Sequence, residues 1–205
     1  MKTLLLMRHA KSSWKDSDLA DHERPLNKRG KKDSVFMGAV LKEKELLPQK
    51  ILASSAVRIR ETIAGLFQES NFPGEIEFSD ELYLAEPEIL LQHIRNLPDT
   101  LERVMLMGHN PGLEGLLQLL CGRIESLPTG SVAYLSLPIQ QWNELSNGIE
   151  GELIETLLPR ELRELEEEKH KAKDKKEKKE EKKEDKKAEK KEVKKQDKKA
   201  EKKKK

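Results

Sequence analysis

Three strand-like runs in this chain each stop on a polar residue with chemical potential. Thr3 to Met7 ends on Arg8, His9 and Ala10, Lys50 to Ala53 on Ser54 and Ser55, and Arg103 to Met107 on Gly108 and His109. Short, nearly continuous apolar runs of this kind read as strands with both faces buried, as in the interior of a parallel sheet. A cation and an imidazole at the end of such a strand are costly to bury unless they meet partners or a ligand. Helical patterns alternate with the runs, so the expected fold is α/β, an open, mainly parallel sheet flanked by helices.

Periodicity supplies the elements between. Lys11 to Pro25 is polar and aperiodic, which predicts a loop over the carboxyl end of the first strand. Arg24-Pro25-Leu26-Asn27 leads into a helix over 28–46, capped by Asn27, striped by Val35, Met37, Val40, Leu41 and Leu46, and closed by Pro48. A second helix is expected over 56–69, with Ile59, Ile63, Leu66 and Phe67 inward. A turn at Asn71 to Gly74, a strand at Glu75 to Phe78 and a helix at Glu88 to Leu97 follow. After His109, a helix capped by Asn110 carries Leu113, Leu116, Leu117 and Leu120. Val132 to Leu137 alternates as a strand should, and Glu152 to Leu157 is the last strand, after a turn at Gly148 to Gly151.

Charged residues make up 38% of the 205, too many for a globule of that full length. Of the 40 Lys plus Arg and 38 Asp plus Glu, 21 Lys and 10 acidic residues lie from Lys169 onward. That leaves 19 basic and 28 acidic residues in 1–168, so the formal net of +2 combines a body at −9 with a tail at +11. We expect one domain over 1–159 and a Lys/Glu-rich tail over 160–205, either disordered or a solvated single helix. The single cysteine, Cys121, excludes an internal disulfide and fits a reducing compartment. No apolar run approaches the roughly 18 to 20 residues of a membrane span. The opening apolar segment is cut by Arg8 and His9, short of the roughly 7 to 15 residues of a signal h-region, so the expected location is the cytoplasm.

In an open α/β sheet ligands bind beyond the carboxyl ends of the strands, so Arg8-His9, Ser54 and Gly108-His109 can reach one crevice. Arg58 lies one helical turn after Ser54 and points back toward it. Helices beginning near residues 56 and 111 add backbone N–H groups and positive dipole ends, which suit an anion. Guanidinium forks match phosphoryl oxygens. Neighbouring cations also lower a histidine's pKa and keep an imidazole nitrogen nucleophilic near neutral pH. The combination fits transfer of a phosphoryl group through a phosphohistidine.

These residues resemble a known family. Arg8-His9-Ala10 after an N-terminal strand is similar to the R-H-G signature of the histidine phosphatase superfamily, which includes acid phosphatases and phosphoglycerate mutases. Ser54-Ser55-Ala56-Val57-Arg58 with Thr62 resembles its S-P-x-x-R-x-x-x-T motif, and Gly108-His109 its third element. Arg24-Pro25-Leu26-Asn27 with Gly30 is most similar to the SixA-like branch of small phosphohistidine phosphatases. The resemblance spans roughly residues 1–157 and implies a phosphoglycerate mutase-like fold. It implies His9 as nucleophile, Arg8, Arg58 and His109 as the phosphoryl clamp, and Arg24 and Ser54 as further substrate-binding residues. It implies no cofactor and no metal, because cationic side chains supply the charge stabilisation. Larger members protonate the leaving group with an acid. Here Glu81 and Glu86 flank Leu82-Tyr83 as candidates, and no motif chooses between them. SixA-like proteins do without that acid, which favours a phosphoramidate or another activated phosphate. Ser55 stands where the family usually has proline.

The remaining candidates carry less. Arg24 could instead pair with an acidic neighbour; Arg60 points to another helix face; His22, His93 and His170 read as surface residues. Trp14 and Trp142 read as packing and Cys121 as core. Asp16-Ser17-Asp18 follows no apolar strand and reads as loop, and no phosphate-loop or nucleophile-elbow motif occurs. The expected partner is a phosphorylated protein or a small-molecule phosphate. The tail can contact nucleic acid or an anionic surface through counterion release, although its interleaved acids favour a solubilising role. A second function also fits: a binding module that recognises a phosphorylated ligand without turnover, tethered to an anionic partner by its Lys-rich tail.

Overall fold

Leu4, Leu5, Leu6 and Met7 are all fully buried, as an unalternating run requires of a strand covered on both faces. They form the middle of β1 (Lys2–Arg8). In the computed structural model, which describes residues 1–68, 72, 74–146 and 151–168, this strand joins β2 (Lys50–Ser54), β3 (Glu75–Ser79), β4 (Arg103–Gly108), β5 (Val132–Leu137) and β6 (Glu152–Leu157). They form one sheet in the order β3-β2-β4-β1-β5-β6. The four strands from β3 to β1 are mutually parallel, whereas β5 runs antiparallel to β1 and β6 antiparallel to β5.

Leu4 and Leu6 share a buried cluster with Leu90 and Ile94 of α3 (Pro87–Arg95) and Leu113, Leu116 and Leu117 of α4 (Gly112–Cys121). Leu5 and Met7 alternate to the other face of the sheet. Buried apolar residues of α1 (Lys28–Glu43) and α2 (Val57–Leu66) include Met37, Leu41, Ile59 and Ile63. The Asn27 side chain accepts a hydrogen bond from Gly30 N at 2.8 Å and caps α1.

Helix ends differ from expectation for local reasons. α1 stops at Glu43 rather than 46 because Glu45 turns left-handed, at φ 56°. Leu46 N–H then donates to Leu41 O and Glu45 N–H to Lys42 O, a Schellman closure that buries Leu46 although it lies outside the helix. α2 ends at Leu66, and α3 begins one residue earlier than expected, with Pro87 at its first position. The peptide bond Asn110-Pro111 is cis and α4 starts with Pro111 as its cap, so Asn110 does not cap it.

The chain divides into units Met1–Pro159 and Arg160–Lys205. Of the second, residues 160–168 are described and are helical, with an i,i+4 pair from Arg160 to Glu164 at 2.9 Å. The expected turn around 148–150 and the tail from 169 lie outside the described residues. Among the described residues no helix is long and apolar enough to cross a membrane.

Candidate active site

Strand order and register bring three strand ends together. β4 lies between β1 and β2, with Arg8 opposite Gly108 and Ala53 opposite Met107. The residues that follow, His9, Ser54 and His109, are thereby delivered to one edge. His9 is fixed on both sides: its N–H donates to Gly108 O at 3.3 Å, and its carbonyl accepts from Gly130 N at 2.9 Å. Arg8, His9, Asp21, Arg24, Arg58 and His109 line a single cleft of about 380 Å³. A groove of about 500 Å³ along α1 and α2 is larger, but its ionisable lining is Lys42 and Glu43, so the concentrated chemistry lies in the smaller space.

His9 is 8% exposed, and its Nδ1 lies 2.8 Å from Ala10 O. A carbonyl only accepts, so Nδ1 carries the hydrogen and Nε2 holds the lone pair. Burial, aided by Arg58, Arg8 and Arg24 and opposed by the Ala10 hydrogen bond, pushes the imidazole down to about 4. Thr62 secures the next residue: its hydroxyl accepts from Ala10 N at 3.1 Å and donates to Arg58 O at 2.6 Å. This ties the turn after His9 to the helix that carries Arg58.

His109 stands beside it, with ring centroids 5.2 Å apart. Arg58 Nη2 donates toward His109 Nδ1 at 3.3 Å, so His109 Nε2–H donates to Ser54 Oγ at 2.9 Å. Burial first, then Arg58 and His9, pushes this ring down to about 3. Ser54 is completely buried beneath it and does not line the cleft. Its contact with the cleft therefore runs through His109, a change from the expected substrate contact.

Arg8 donates from Nη1 to Leu127 O at 2.8 Å. Among the described residues its buried Nε–H has no hydrogen-bond partner, and neither has the Oδ1 of Asn110, another cleft residue. The Asn110 orientation follows from its other contacts, because Nδ2 donates to Glu114 Oε1 and Leu127 O.

The loop expected over the strand end contributes more than Arg24. Asp21, in a single 3₁₀ turn (Asp21–Glu23), places its carboxylate between cations. Oδ1 accepts from Arg24 at 2.6 Å, and Oδ2 accepts from Arg58 at 2.9 Å and from the Tyr83 hydroxyl at 2.6 Å. The Tyr83 hydroxyl first, with Arg24 and Arg58, holds this carboxyl well below the usual range against the opposing effect of burial. Arg24 also donates to Ser13 O and Ser12 Oγ and stacks on Trp14, its guanidinium carbon 3.2 Å from the ring centre. Arg24 thus both pairs with an acidic neighbour and lines the cleft.

Several residues lie elsewhere than expected. Glu81 pairs with His93 at 2.9 Å, Glu86 caps α3 through its backbone, and neither lines the cleft. His22 is not a plain surface residue: Nε2 lies 2.8 Å from Ser55 Oγ, and the ring meets Tyr83 edge-on at 4.9 Å. Trp14 is 73% exposed at the cleft rather than packed inside. Arg60 donates to Ser55 O and lies over Phe78, Cys121 is half-buried, and Trp142 is fully buried. Sequence reading missed Asp21 and Tyr83. The available signal was an acid three residues before Arg24 in a loop placed over a strand end.

Comparison with known proteins follows the same lines. No family model matches. An uncharacterised chloroplast protein of Arabidopsis thaliana is 35% identical over 70% of each chain, and an uncharacterised protein of Mycobacterium leprae is 28% identical over 68% of this chain and 91% of its own. Among solved structures, one from Agrobacterium tumefaciens, provisionally assigned as phosphohistidine phosphatase SixA, is 28% identical with a TM-score of 0.67. The match covers 77% of this chain and 98% of that one. A protein histidine phosphatase SixA complexed with tungstate shares the fold, with a TM-score of 0.68 at 21% identity, over 78% of this chain and 99% of that one. The six-stranded mixed sheet is thus phosphoglycerate mutase-like. With the strand-end motifs gathered at one cleft and the shared sheet spanning almost the whole SixA chain, this protein belongs to the SixA-like branch of the histidine phosphatase superfamily.

Proposed function

We propose that the protein is a phosphatase that works through a phosphohistidine on His9, acting on a phosphohistidine protein or a related small phosphate. The observation that carries this reading is the fixed tautomer of His9. Nδ1–H is held by Ala10 O, and the free Nε2 sits in a cleft lined by Arg8, Arg24, Arg58 and His109. In the first step the Nε2 lone pair attacks phosphorus and the bond to the leaving group breaks, its electron pair departing with that group. In the second step water attacks phosphorus, the P–Nε2 bond breaks with its pair returning to the imidazole, and the phosphate leaves carrying both protons of the water. The Nδ1–H stays on Ala10 O throughout.

The guanidinium groups of Arg8 and Arg58 stabilise the charge that spreads over the phosphoryl oxygens. The unpartnered Arg8 Nε–H is suited to one of those oxygens. His109 is neutral in the free protein, and a bound dianion favours its protonation and converts Nδ1 into a donor. Ser54 positions that ring. Among the described residues the acid lining the cleft is Asp21, which is held ionised and cannot protonate a leaving group. This supports a substrate with an easily expelled leaving group. The tungstate complex of the fold relative is consistent with an oxyanion site of this kind. Cys121 is half-buried and burial raises its thiol pKa, which supports an unreactive thiol outside the chemistry.

Brief exposure to ³²P-phosphohistidine protein followed by denaturation tests the proposal. Acid-labile, base-stable label on the wild-type chain and none on His9→Ala supports it. Phosphatase activity unchanged in His9→Ala would overturn the role of His9, and absence of both label and turnover in the wild type would replace the proposal with the binding-module reading.

A further inference from the structure

We propose that Asp21 makes the cleft selective for phosphoramidates whose departing ring is positively charged. This inference rests on the His9 reading above. Asp21 lines the cleft with its side chain 44% exposed, and its Oδ2 shares Arg58 Nη2 with His109. The carboxylate therefore lies one guanidinium away from the floor of the site and is open to the solvent side, where a leaving group departs. It is braced by Arg24, Arg58 and Tyr83, so it persists as a fixed negative charge there.

A fixed anion beside an oxyanion site discriminates between substrates. A phosphate ester presents a dianion and an uncharged leaving group, and the carboxylate only repels it. An N-phosphorylated imidazole titrates near neutrality, and in its protonated form the ring carries a positive charge that the carboxylate attracts. In that form the P–N bond breaks with its electron pair passing to the ring nitrogen, while the new bond forms from phosphorus to His9 Nε2. The departing imidazole leaves neutral and keeps its own proton on the far nitrogen. No proton moves in the step, so no general acid is required, consistent with the placing of Glu81 and Glu86 away from the cleft.

The test compares kcat/KM on a phosphohistidine peptide and on para-nitrophenyl phosphate for the wild type, Asp21→Asn and Tyr83→Phe. Asp21→Asn should lower the phosphohistidine-to-ester ratio about tenfold, the effect of one charge contact in a half-exposed site, with ester turnover held or raised. Tyr83→Phe retains the charge and should keep the ratio within about twofold. Tungstate affinity should hold or rise in Asp21→Asn, which shows that its cleft is intact. An unchanged ratio in Asp21→Asn, or equal losses on both substrates, overturns the proposal. Loss of the ratio in Tyr83→Phe to the same degree also overturns it, because the role would then belong to loop placement rather than charge. Absence of turnover and of label in the wild type would sink the His9 reading itself, a different result from any of these.

Discussion

A neutral imidazole beside three guanidinium groups is a statement about pH as well as about catalysis. His9 is pushed down to about 4 in the folded protein, whereas an unfolded chain restores a value of about 6.5. Between those values the unfolded state binds a proton that the folded state excludes. The contribution of His9 to stability is therefore full above about pH 6.5 and is lost as pH falls toward about 4. Urea midpoints measured from pH 7 to pH 4 should fall more steeply in the wild type than in His9→Asn, because the variant lacks the His9 contribution. Ser54→Ala tests the neighbouring ring. It strands the buried His109 Nε2–H, an expected cost of about 1–3 kcal/mol, and should lower kcat more than it changes KM. Arg8, His9, Arg58 and His109 were legible in the sequence because each follows a strand end or a first helical turn, where backbone geometry fixes direction. Asp21 and Tyr83 were not, because they meet through two loops separated by 62 residues, and no periodicity encodes such a contact.

At the scale of elements, the cleft depends on how closely α1 approaches the segment after His9. A Cβ built on Gly30 would lie 2.2 Å from the Lys11 carbonyl oxygen, and Asn27 N–H donates to that same oxygen at 2.9 Å. Gly30 is thus required by close approach to backbone, which cannot yield as a flexible side chain does. Gly30→Ala should destabilise the protein by about 1–3 kcal/mol and lower turnover by displacing Lys11 and, through it, His9. Urea unfolding and a phosphatase assay on the same preparation check both effects. Every strand and α-helix of the described body was legible from period and punctuation, since Val132 to Leu137 alternates and Pro48 interrupts, whereas the short 3₁₀ turns such as Asp21–Glu23 were not. The helix ends were less legible. Glu45 adopts a left-handed conformation in a Schellman closure that glycine usually supplies, so Leu46 looked helical although it is buried from outside the helix.

At the scale of the whole molecule, the charge of the chain is two charges that nearly cancel. Residues 1–168 carry −9 and residues 169–205 carry +11, so a net-anionic body is joined to a net-cationic tail. The groups gathered at the cleft come from residues 8–129, and hydrolysis of a small phosphate should not depend on the tail. Deleting residues 169–205 should therefore leave kcat on para-nitrophenyl phosphate within about twofold, because the deletion removes no residue that lines the cleft. If the full chain is retained on immobilised nucleic acid, the same deletion should abolish that retention. A tail that recruits acidic substrate would show as a KM for an acidic phosphohistidine protein that rises on deletion at low salt, an increase that shrinks as salt is added. If retention survives the deletion, the tail is not its cause. A low-salt KM that does not change would leave the tail a solubilising appendage, the role its interleaved Asp and Glu already favour.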